Sequence, residues 1–237
     1  MSKKFKVYNG FGIKPTKAWE AAGWDFYVPA IKNPDEETID RVVYALKKSY
    51  NKTDKQLTTI MDRMGSEMKL LNMESIWEDW KWSITLLFLS VDGAIMRASQ
   101  NKVQTFISYY LTLSEDGRPG MKLHCNDHVF INSGIKVCLE HDTAGVFMNK
   151  SGKGNKGIDV RAQVVDEDYS GYVHLSHAYT KDNATDGIIY AGDKLSQMLI
   201  LPLVHKDECE EITEASYNKI HETSERGEGM TGISDKK

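Results

Sequence analysis

Ile158-Asp-Val-Arg-Ala-Gln-Val-Val-Asp-Glu-Asp-Tyr-Ser-Gly-Tyr-Val-His-Leu175 is the stretch of sequence that decides the fold. Apolar residues alternate over 158–165 and again over 172–175, which is the spacing of strands with one buried face. Between them lies Asp166-Glu-Asp-Tyr-Ser-Gly171, a polar segment. Such a composition is typical of a tight turn, and its carboxylates and tyrosine are equally suited to hold a water, a metal or a sugar. The stretch predicts a strand, a turn and a second strand.

The composition is that of an ordinary globular protein. Of the 237 residues, 41% are hydrophobic and 27% are charged, which is enough to bury a proper core. The net charge of -4 argues against a protein that coats nucleic acid, so we expect no nucleic-acid polymer as a partner. Cys125, Cys138 and Cys209 are too few and too scattered for a disulfide framework. We therefore expect a reducing compartment and a cytoplasmic location.

The sequence predicts no membrane segment. Met1-Ser-Lys-Lys-Phe-Lys-Val7 contains basic residues with no apolar run behind them, so we expect no signal peptide. The longest apolar run, Ile84–Val91, is far too short to span a bilayer. We expect no interaction with a membrane.

Two β-rich stretches flank a helical block. Apolar residues recur at helical spacing from Asn33 to about Ser99, whereas Lys102–Leu113 fits either a helix or a strand. Glu115-Asp-Gly-Arg-Pro-Gly120 is a breaker. Charged residues dominate His205–Glu225, which we interpret as a linker or extended arm. Strands are predicted over residues 5–8, 21–28, 135–139, 146–148, 188–193 and 195–204.

Three further segments offer groups that bind anions. Asn149-Lys-Ser-Gly152 combines a cation, a hydroxyl and a glycine N–H, as a phosphate cradle does, although a surface loop has the same composition. Gln197 follows a glycine turn and can contact phosphate or cap a loop. Arg226 stands in a glycine-rich tail, where it fits a lid over phosphate or a disordered end.

In this order the segments resemble the motifs of the trimeric dUTPase family (dUTP nucleotidohydrolases). The closest match runs from Gly157 to Gly171, against the usual Gly-Val-Ile-Asp-x-Asp-Tyr-Arg-Gly. The likeness covers residues 1 to about 30 and about 122 to 237. The remaining matches are Ala21-Ala-Gly-Trp-Asp25, Ile131-Asn-Ser-Gly-Ile-Lys-Val137, Asn149-Lys-Ser-Gly152, Ala191-Gly-Asp-Lys-Leu-Ser-Gln197 and Glu225-Arg-Gly-Glu-Gly-Met-Thr-Gly232.

The resemblance implies a mainly β fold, a jelly-roll-like barrel assembled as a homotrimer with shared active sites. An α-helical subdomain is inserted in it. The expected division is residues 1–31 for the first part of the β domain, 32–121 for the helical insertion, 122–204 for the rest of the β domain and 205–237 for a C-terminal arm. So large an insertion in a compact member of the family is consistent with a viral source.

The resemblance also implies hydrolysis of dUTP to dUMP and pyrophosphate, by Mg²⁺-assisted attack of water on the α-phosphorus. Asp166 would be the general base, because a carboxylate must lie within hydrogen-bond reach of that water. Tyr169 would pack under the deoxyribose. The triphosphate would hold most of the Mg²⁺ coordination, with Asp25 in the outer shell. The residues expected to bind the phosphates are Lys150, Ser151, Gly152 and Gln197, together with Arg226 and Gly227 from a neighbouring subunit's arm.

Departures from the family leave the identity of the base open. Arg161-Ala-Gln163 replaces a Gly-Ala-Gly that reads uracil through its backbone, so Arg161 is expected to line or fill the base pocket. Thr231 replaces a phenylalanine that stacks on the base. One alternative is therefore the same fold acting on another deoxynucleotide, by dCTP hydrolysis or deamination.

The other alternative is a regulatory protein that binds a protein partner through the helical insertion. Its motivation is the insertion's content of methionine and tryptophan, which suits either an interface or a core. Both interpretations of the insertion stay open on the sequence alone.

Overall fold

The computed structural model describes residues 5–91, 100–181, 187–204, 211 and 213–220. The strands in these ranges are β1 (Lys6–Asn9), β2 (Trp24–Tyr27), β3 (Leu111–Leu113), β4 (Pro119–Lys122), β5 (His128–Asn132), β6 (Ile135–Cys138), β7 (Thr143–Asn149), β8 (Ile158–Val160), β9 (Val164–Val165), β10 (His174–Tyr179), β11 (Ile188–Tyr190) and β12 (Lys194–Pro202). The helices are α1 (Glu36–Ser49), α2 (Asp54–Leu70), α3 (Glu74–Ser90), α4 (Gln100–Tyr109), α5 (Ser151–Gly154) and α6 (Glu214–Ile220).

The strands form small antiparallel sheets with the orders β2-β12-β7-β9, β5-β10-β8, β11-β4-β3 and β1-β6. Four helices lie between β2 and β3. This arrangement confirms the predicted fold class, a mainly β, jelly-roll-like structure with inserted helices. In the four-stranded sheet, β12 pairs with β2 on one side and with β7 on the other. This sheet therefore brings together segments that are far apart in the sequence.

Local signals in the sequence explain the helices. The side chain of Asp35 accepts a hydrogen bond from Thr38 N (2.8 Å) and caps α1. Thr53 and Gln56 form a capping box at the start of α2. The second half of α3 has no exposed face, since every residue from Trp82 to Ser90 is buried, whereas Glu74 and Glu78 in its first half are exposed.

The methionines and tryptophans of the helices are mostly core residues. Met64 and Met68 are fully buried, and Trp77, Trp80 and Trp82 are each 8% exposed. They belong to one hydrophobic cluster with residues of the sheets. Their burial in this core accounts for the methionine and tryptophan content of the helices, which had suggested an insertion that binds a protein partner.

Hydrogen bonds tie the helices to the sheets within one compact unit, residues 1–202. Ser83 Oγ on α3 accepts from Ile31 N at 2.7 Å. On the residue after α1, the Tyr50 hydroxyl donates to Phe130 O (2.9 Å) and accepts from Asn132 N (3.2 Å). α1 is thereby anchored to strand β5. Within residues 203–237, the structure describes α6, where Thr213 Oγ1 accepts from Ser216 N (3.2 Å).

The prediction of a single strand over residues 158–165 is wrong. β8 pairs with β10, while β9 pairs with β7 in a different sheet. The chain crosses between the sheets at Arg161–Gln163, where Arg161 N donates to Ser176 O (2.9 Å) and Gln163 O accepts from Phe147 N (2.7 Å). Arg161, Ala162 and Gln163 are all exposed. Alternation alone did not show the crossing, because the apolar spacing continues through it.

Three other segments differ from or refine the prediction. β4 begins at Pro119 inside the predicted breaker, since proline is tolerated as the first residue of a strand. Residues 100–113 contain both alternatives, helix α4 and then β3. α6 lies within the segment interpreted as an arm. Among the described residues, no helix is both long enough and apolar enough to cross a membrane.

Candidate active site

The predicted anion-binding residues meet where β7 ends beside β12. Gln197 pairs with Met148 on β7 and with Asp25 on β2, and its side-chain Nε2 donates to Asn149 O at 3.3 Å. Lys150 follows directly after β7. We call Asp25, Lys150, Ser151, Gly152 and Gln197 the β7–β12 cluster. Three separate motifs of the sequence thus form one surface.

Asp25 joins two lysines in this cluster. Its Oδ1 lies 2.5 Å from Lys150 Nζ, and its Oδ2 lies 3.0 Å from Lys194 Nζ. Partial burial raises the pKa of the Asp25 carboxyl, but the hydrogen bonds and charges of Lys150 and Lys194 together outweigh it and hold that pKa below its usual range. Asp25 is therefore ionised near neutral pH and holds the Lys150 side chain in place. Lys194 is a member of the site that the sequence analysis did not single out.

The loop after β7 leaves polar groups open to solvent. Ser151 and Gly152 are exposed in the single helical turn α5, and a Cβ placed on Gly152 would meet nothing within 4 Å. The Asn149 side chain fixes the base of the loop, since its Oδ1 accepts from Val160 N and its Nδ2 donates to Asp159 Oδ1, both at 2.7 Å. A hydroxyl and backbone N–H groups on an anchored loop suit an anion.

Asp166 and Tyr169 lie at a second location, a pocket of about 190 Å³ that we call the hairpin pocket. Asp166 is exposed, and Tyr169 N donates to its carbonyl (3.2 Å) across the turn. The Tyr169 hydroxyl donates to Tyr172 O at 2.8 Å, which fixes the ring. Partial burial raises the pKa of that hydroxyl, so it keeps its proton. Apolar walls are provided by Phe130, Phe147, Val165 and Val173.

The hairpin pocket contains a histidine that the sequence analysis did not predict. The His174 ring stacks on Phe130 with centroids 4.3 Å apart and planes 5° from parallel. Burial lowers the pKa of His174 to about 4, so its ring is neutral near pH 7. Phe130 and His174 come together through the pairing of β5 with β10.

Arg161 was expected to line or fill the base pocket, and the structure places its side chain in solvent. The following residue, Ala162, lines the hairpin pocket instead. Arg226 and Gly227 lie outside the described residues.

The two locations lie at opposite ends of β7. Val165, which precedes Asp166, pairs with Gly145 near the start of β7, whereas Asn149 at its end precedes Lys150. The five steps along the chain from Gly145 to Lys150 span roughly 17 Å of extended backbone. A general base and the groups that hold its phosphate must lie within a few ångström of one another. One copy of the chain therefore keeps the two halves of such a site apart.

Metal-binding groups in the described residues are few. Both oxygens of Asp25 already face a lysine, so its donor set suits a metal's water shell better than direct coordination. His141, Asp142 and Glu167 lie close enough together to ligate an ion. There the Glu167 carboxylate accepts a hydrogen bond from Asp142 N (2.6 Å), which stabilises the turn that contains Asp142.

Comparison with known proteins identifies similar sequences. A family model described as dUTPase matches residues 100–234. The Gag-Pro polyprotein of Mason-Pfizer monkey virus is 26% identical over 134 residues, which are 53% of this chain and 13% of the polyprotein. The Pol polyprotein of Ovine maedi visna related virus (strain South Africa) is 27% identical over 96 residues, 37% of this chain and 9% of that protein. The chain thus spans a small part of the length of these viral relatives.

The solved structures that match this chain include dUTPases. A mutant dUTPase of phage 80alpha is 11% identical, with 98% of this chain and 99% of that chain covered and a TM-score of 0.48. The dUTPase from phage phi11 of S. aureus is 18% identical, with 40% and 77% covered and a TM-score of 0.33. The EIAV dUTPase is 19% identical, with 44% and 92% covered and a TM-score of 0.35.

Proposed function

This chain belongs to the dUTPase family, and we propose on that basis that it hydrolyses dUTP to dUMP and pyrophosphate. The observation that carries the proposal is the hairpin pocket, where the exposed carboxylate of Asp166 stands at the edge of an apolar cavity beside Tyr169. The pocket of about 190 Å³ is smaller than the roughly 300–1,000 Å³ that encloses a whole drug-sized ligand. It therefore suits the nucleoside part of a nucleotide and leaves the triphosphate outside.

Asp166 is proposed as the general base. Its exposed carboxylate accepts the proton of a water that attacks the α-phosphorus, and pyrophosphate leaves on the opposite side. Tyr169, held by Tyr172 O, supports the deoxyribose with its ring face. The apolar walls exclude competing water from the nucleoside.

The β7–β12 cluster is proposed to bind the triphosphate. Ser151 and Gly152 offer a hydroxyl and backbone N–H groups, and Gln197 offers an amide. Lys150 offers a cation that Asp25 holds in place until phosphate oxygens compete for it. Arg226 and Gly227 of the C-terminal arm are proposed to close over the γ-phosphate.

Mg²⁺ is the proposed cofactor, held mainly by the triphosphate. The cluster fits this role because Asp25 is ionised and can accept a hydrogen bond from a water of the ion's shell. The ion would offset the charge of the triphosphate. The described residues of the cluster then orient the phosphates through Ser151, Gly152 and Gln197.

The active site is proposed to be shared between copies of the chain in a homotrimer. Asp166 and Lys150 follow strand pairings at opposite ends of β7, too far apart to act on one phosphate. A symmetric assembly solves this, since the hairpin pocket of one copy can face the β7–β12 cluster of its neighbour.

The test is pyrophosphate release from dUTP, dCTP, dTTP, dATP, dGTP and UTP, each with Mg²⁺ and with EDTA. Fast, metal-dependent release from dUTP alone is the expected result. Release from dCTP instead would mean that the protein catalyses the same reaction on a different substrate. dCTP is included because the Arg161-Ala-Gln163 segment differs from the family's usual sequence. If no nucleotide of the panel released pyrophosphate, the proposed enzymatic activity would be contradicted. The helical insertion would then be examined for binding of a protein partner.

A further inference from the structure

Lys153 joins the loop after β7 to the turn that precedes β12. Its Nζ lies 2.6 Å from Asp193 Oδ2 and donates a longer hydrogen bond to Ile188 O at 3.4 Å. The side chains of Lys153 and Asp193 are only 18% and 19% exposed. Fully exposed ion pairs contribute little, whereas breaking a pair that is shielded from water leaves a charge without compensation. The pair therefore ties the loop firmly to the sheets.

The partner of Lys153 is itself held in place. Asp193 Oδ2 also accepts from Tyr190 N (3.2 Å), and Asp193 O accepts from Val28 N (2.9 Å). Gly192 N donates to Val28 O (2.9 Å), so the turn is bonded in both directions to the residue after β2. Asp193 Oδ1 faces Arg118 Nη1 at 3.7 Å. Asp193 is thus a fixed acceptor, and the cation that it binds takes a defined position.

Two lysine contacts bracket the exposed residues 151–152. Directly before them, Lys150 contacts Asp25. Directly after them, Lys153 contacts Asp193. In the proposed function the first contact is exchanged, because phosphate oxygens compete with Asp25 for Lys150. The Lys153 side chain is less exposed than that of Lys150, so the second contact can persist while the first one opens.

We propose that Lys153 is a positioning residue, which through its ion pair with Asp193 holds residues 151–152 in place for the two phosphates that leave as pyrophosphate. The inference rests on the proposed function and deepens it by giving the two lysines of one loop different roles. Lys150 exchanges Asp25 for phosphate, whereas Lys153 keeps its partner and does not touch the substrate. Without the second contact, ordering the loop would cost part of the binding free energy whenever the first contact opens.

The experiment compares wild type with Lys153→Met, which keeps an unbranched apolar side chain and removes the charge. Binding of the non-hydrolysable analogue α,β-imido-dUTP and of dUMP is measured by calorimetry with Mg²⁺, and kcat and KM are measured for dUTP. We expect binding of the analogue to weaken and KM to rise by about tenfold, as for one lost charged hydrogen bond, with kcat changed by less than about threefold.

The comparison with dUMP separates positioning of the loop from a general structural effect. dUMP lacks the two phosphates that the loop is proposed to bind, so Lys153→Met should bind it as wild type does. Unchanged binding of the analogue would overturn the proposal. An equal loss for the analogue and for dUMP would also overturn it, because the variant would then disturb the whole site.

Asp193→Asn, alone and combined with Lys153→Met, tests whether Lys153 acts through Asp193. Asparagine keeps an oxygen for Tyr190 N and removes the charge. In the Asp193→Asn background, Lys153→Met should weaken binding of the analogue by less than about twofold, because the partner is already lost. A loss as large as in the wild-type background would mean that Lys153 contacts the phosphates itself and would overturn the proposal. Should Lys153→Met not fold by circular dichroism, Asp193→Asn gives the same comparison of the analogue with dUMP.

Two further variants control for charge and for rescue. Lys156→Met removes an exposed lysine of the same loop and should leave binding of the analogue within about twofold of wild type. A loss equal to that of Lys153→Met would assign the effect to the charge of the loop as a whole and overturn the proposal. Lys153→Arg keeps a cation for Asp193 and should recover most of the affinity.

The outcome for wild type separates this inference from the function on which it rests. A wild-type protein that neither binds the analogue nor hydrolyses dUTP would contradict the proposed function. Normal dUTP turnover by wild type, with analogue binding that is insensitive to Lys153→Met, would contradict this inference alone.

Discussion

Burial of His177 couples the protonation of its ring to folding. It lies in β10 between Val129 of β5 and Val160 of β8 and is 1% exposed. Burial lowers the pKa of His177 to about 4 from its ordinary 6.5, and the nearby Lys153 charge adds to the effect. The folded protein keeps this ring neutral at pH values where the unfolded chain protonates it.

This shift predicts that acid destabilises the protein through His177. Between pH 6.5 and 4 the unfolded state binds more protons than the folded state, so the free energy of unfolding falls as the pH falls. The shift corresponds to a loss of about 2 kcal/mol at pH 5 relative to pH 7. Urea unfolding at the two pH values should show a smaller loss for His177→Leu than for wild type.

The exposed His128 is the control for this prediction, and His128→Gln should retain the full pH dependence. Equal losses for His177→Leu and wild type would show that His177 does not titrate as its burial requires.

The sequence predicted the candidate site only in part, because some of its residues lie in recognisable motifs and others are brought there by strand pairing alone. Lys150, Ser151, Gly152 and Gln197 lie in short motifs, and strand pairing places them beside Asp25. Lys194 lies inside the motif Ala191–Gln197 but carried no predicted role, and Phe130 and His174 belong to no motif. Their roles depend on which strand β2, β5 and β10 pair with, and spacing along one strand does not specify its partner.

At the scale of elements, Tyr50 makes the contact between α1 and β5 testable. Its buried hydroxyl satisfies Phe130 O and Asn132 N at once. Tyr50→Phe leaves both backbone groups without this partner, which should lower the free energy of unfolding by about 1–3 kcal/mol. Urea unfolding of the variant measures the loss.

Tyr44→Phe provides the matched control, because Tyr44 lies on α1, six residues before Tyr50, and is 62% exposed. It should change the free energy of unfolding by less than about 0.5 kcal/mol. If Tyr50→Phe costs no more than Tyr44→Phe, the hydroxyl does not anchor α1 to β5.

The elements also show where periodicity is a reliable guide. α1, α2 and α3 have long helical patterns, and caps mark the starts of α1 and α2, so their existence follows from the sequence. Residues 158–165 alternate without interruption, yet the chain leaves one sheet at Arg161 and joins another at Val164. The strand pairings and the hydrogen-bond partners of Arg161 and Gln163 reveal the change.

At the scale of the molecule, the helices and the sheets share one hydrophobic core within residues 1–202. Phe88 of α3 contacts Phe106 of α4 edge to face at 5.0 Å, and both rings are buried in the same cluster as Val129 of β5. The helical block is therefore part of the structure that supports strand β5 and, through Phe130, the hairpin pocket. The sequence left this role undecided between core and interface.

In the proposed trimer, one active site takes its general base from one copy of the chain and its phosphate-binding residues from another. Two variants test it: Asp166→Asn, which removes the base and should lower kcat by about 10²–10⁴, and Lys150→Met/Ser151→Ala, which removes the phosphate contacts. Each is measured alone, and then after the two are unfolded together in equal amounts and refolded.

The measurement is dUTP hydrolysis by the refolded mixture. A shared site pairs an intact hairpin with an intact β7–β12 cluster in about a quarter of random combinations, so about a quarter of wild-type activity is predicted from two inactive parents. A mixture no more active than its parents would contradict the account, because it would mean that each copy needs both halves of its own site.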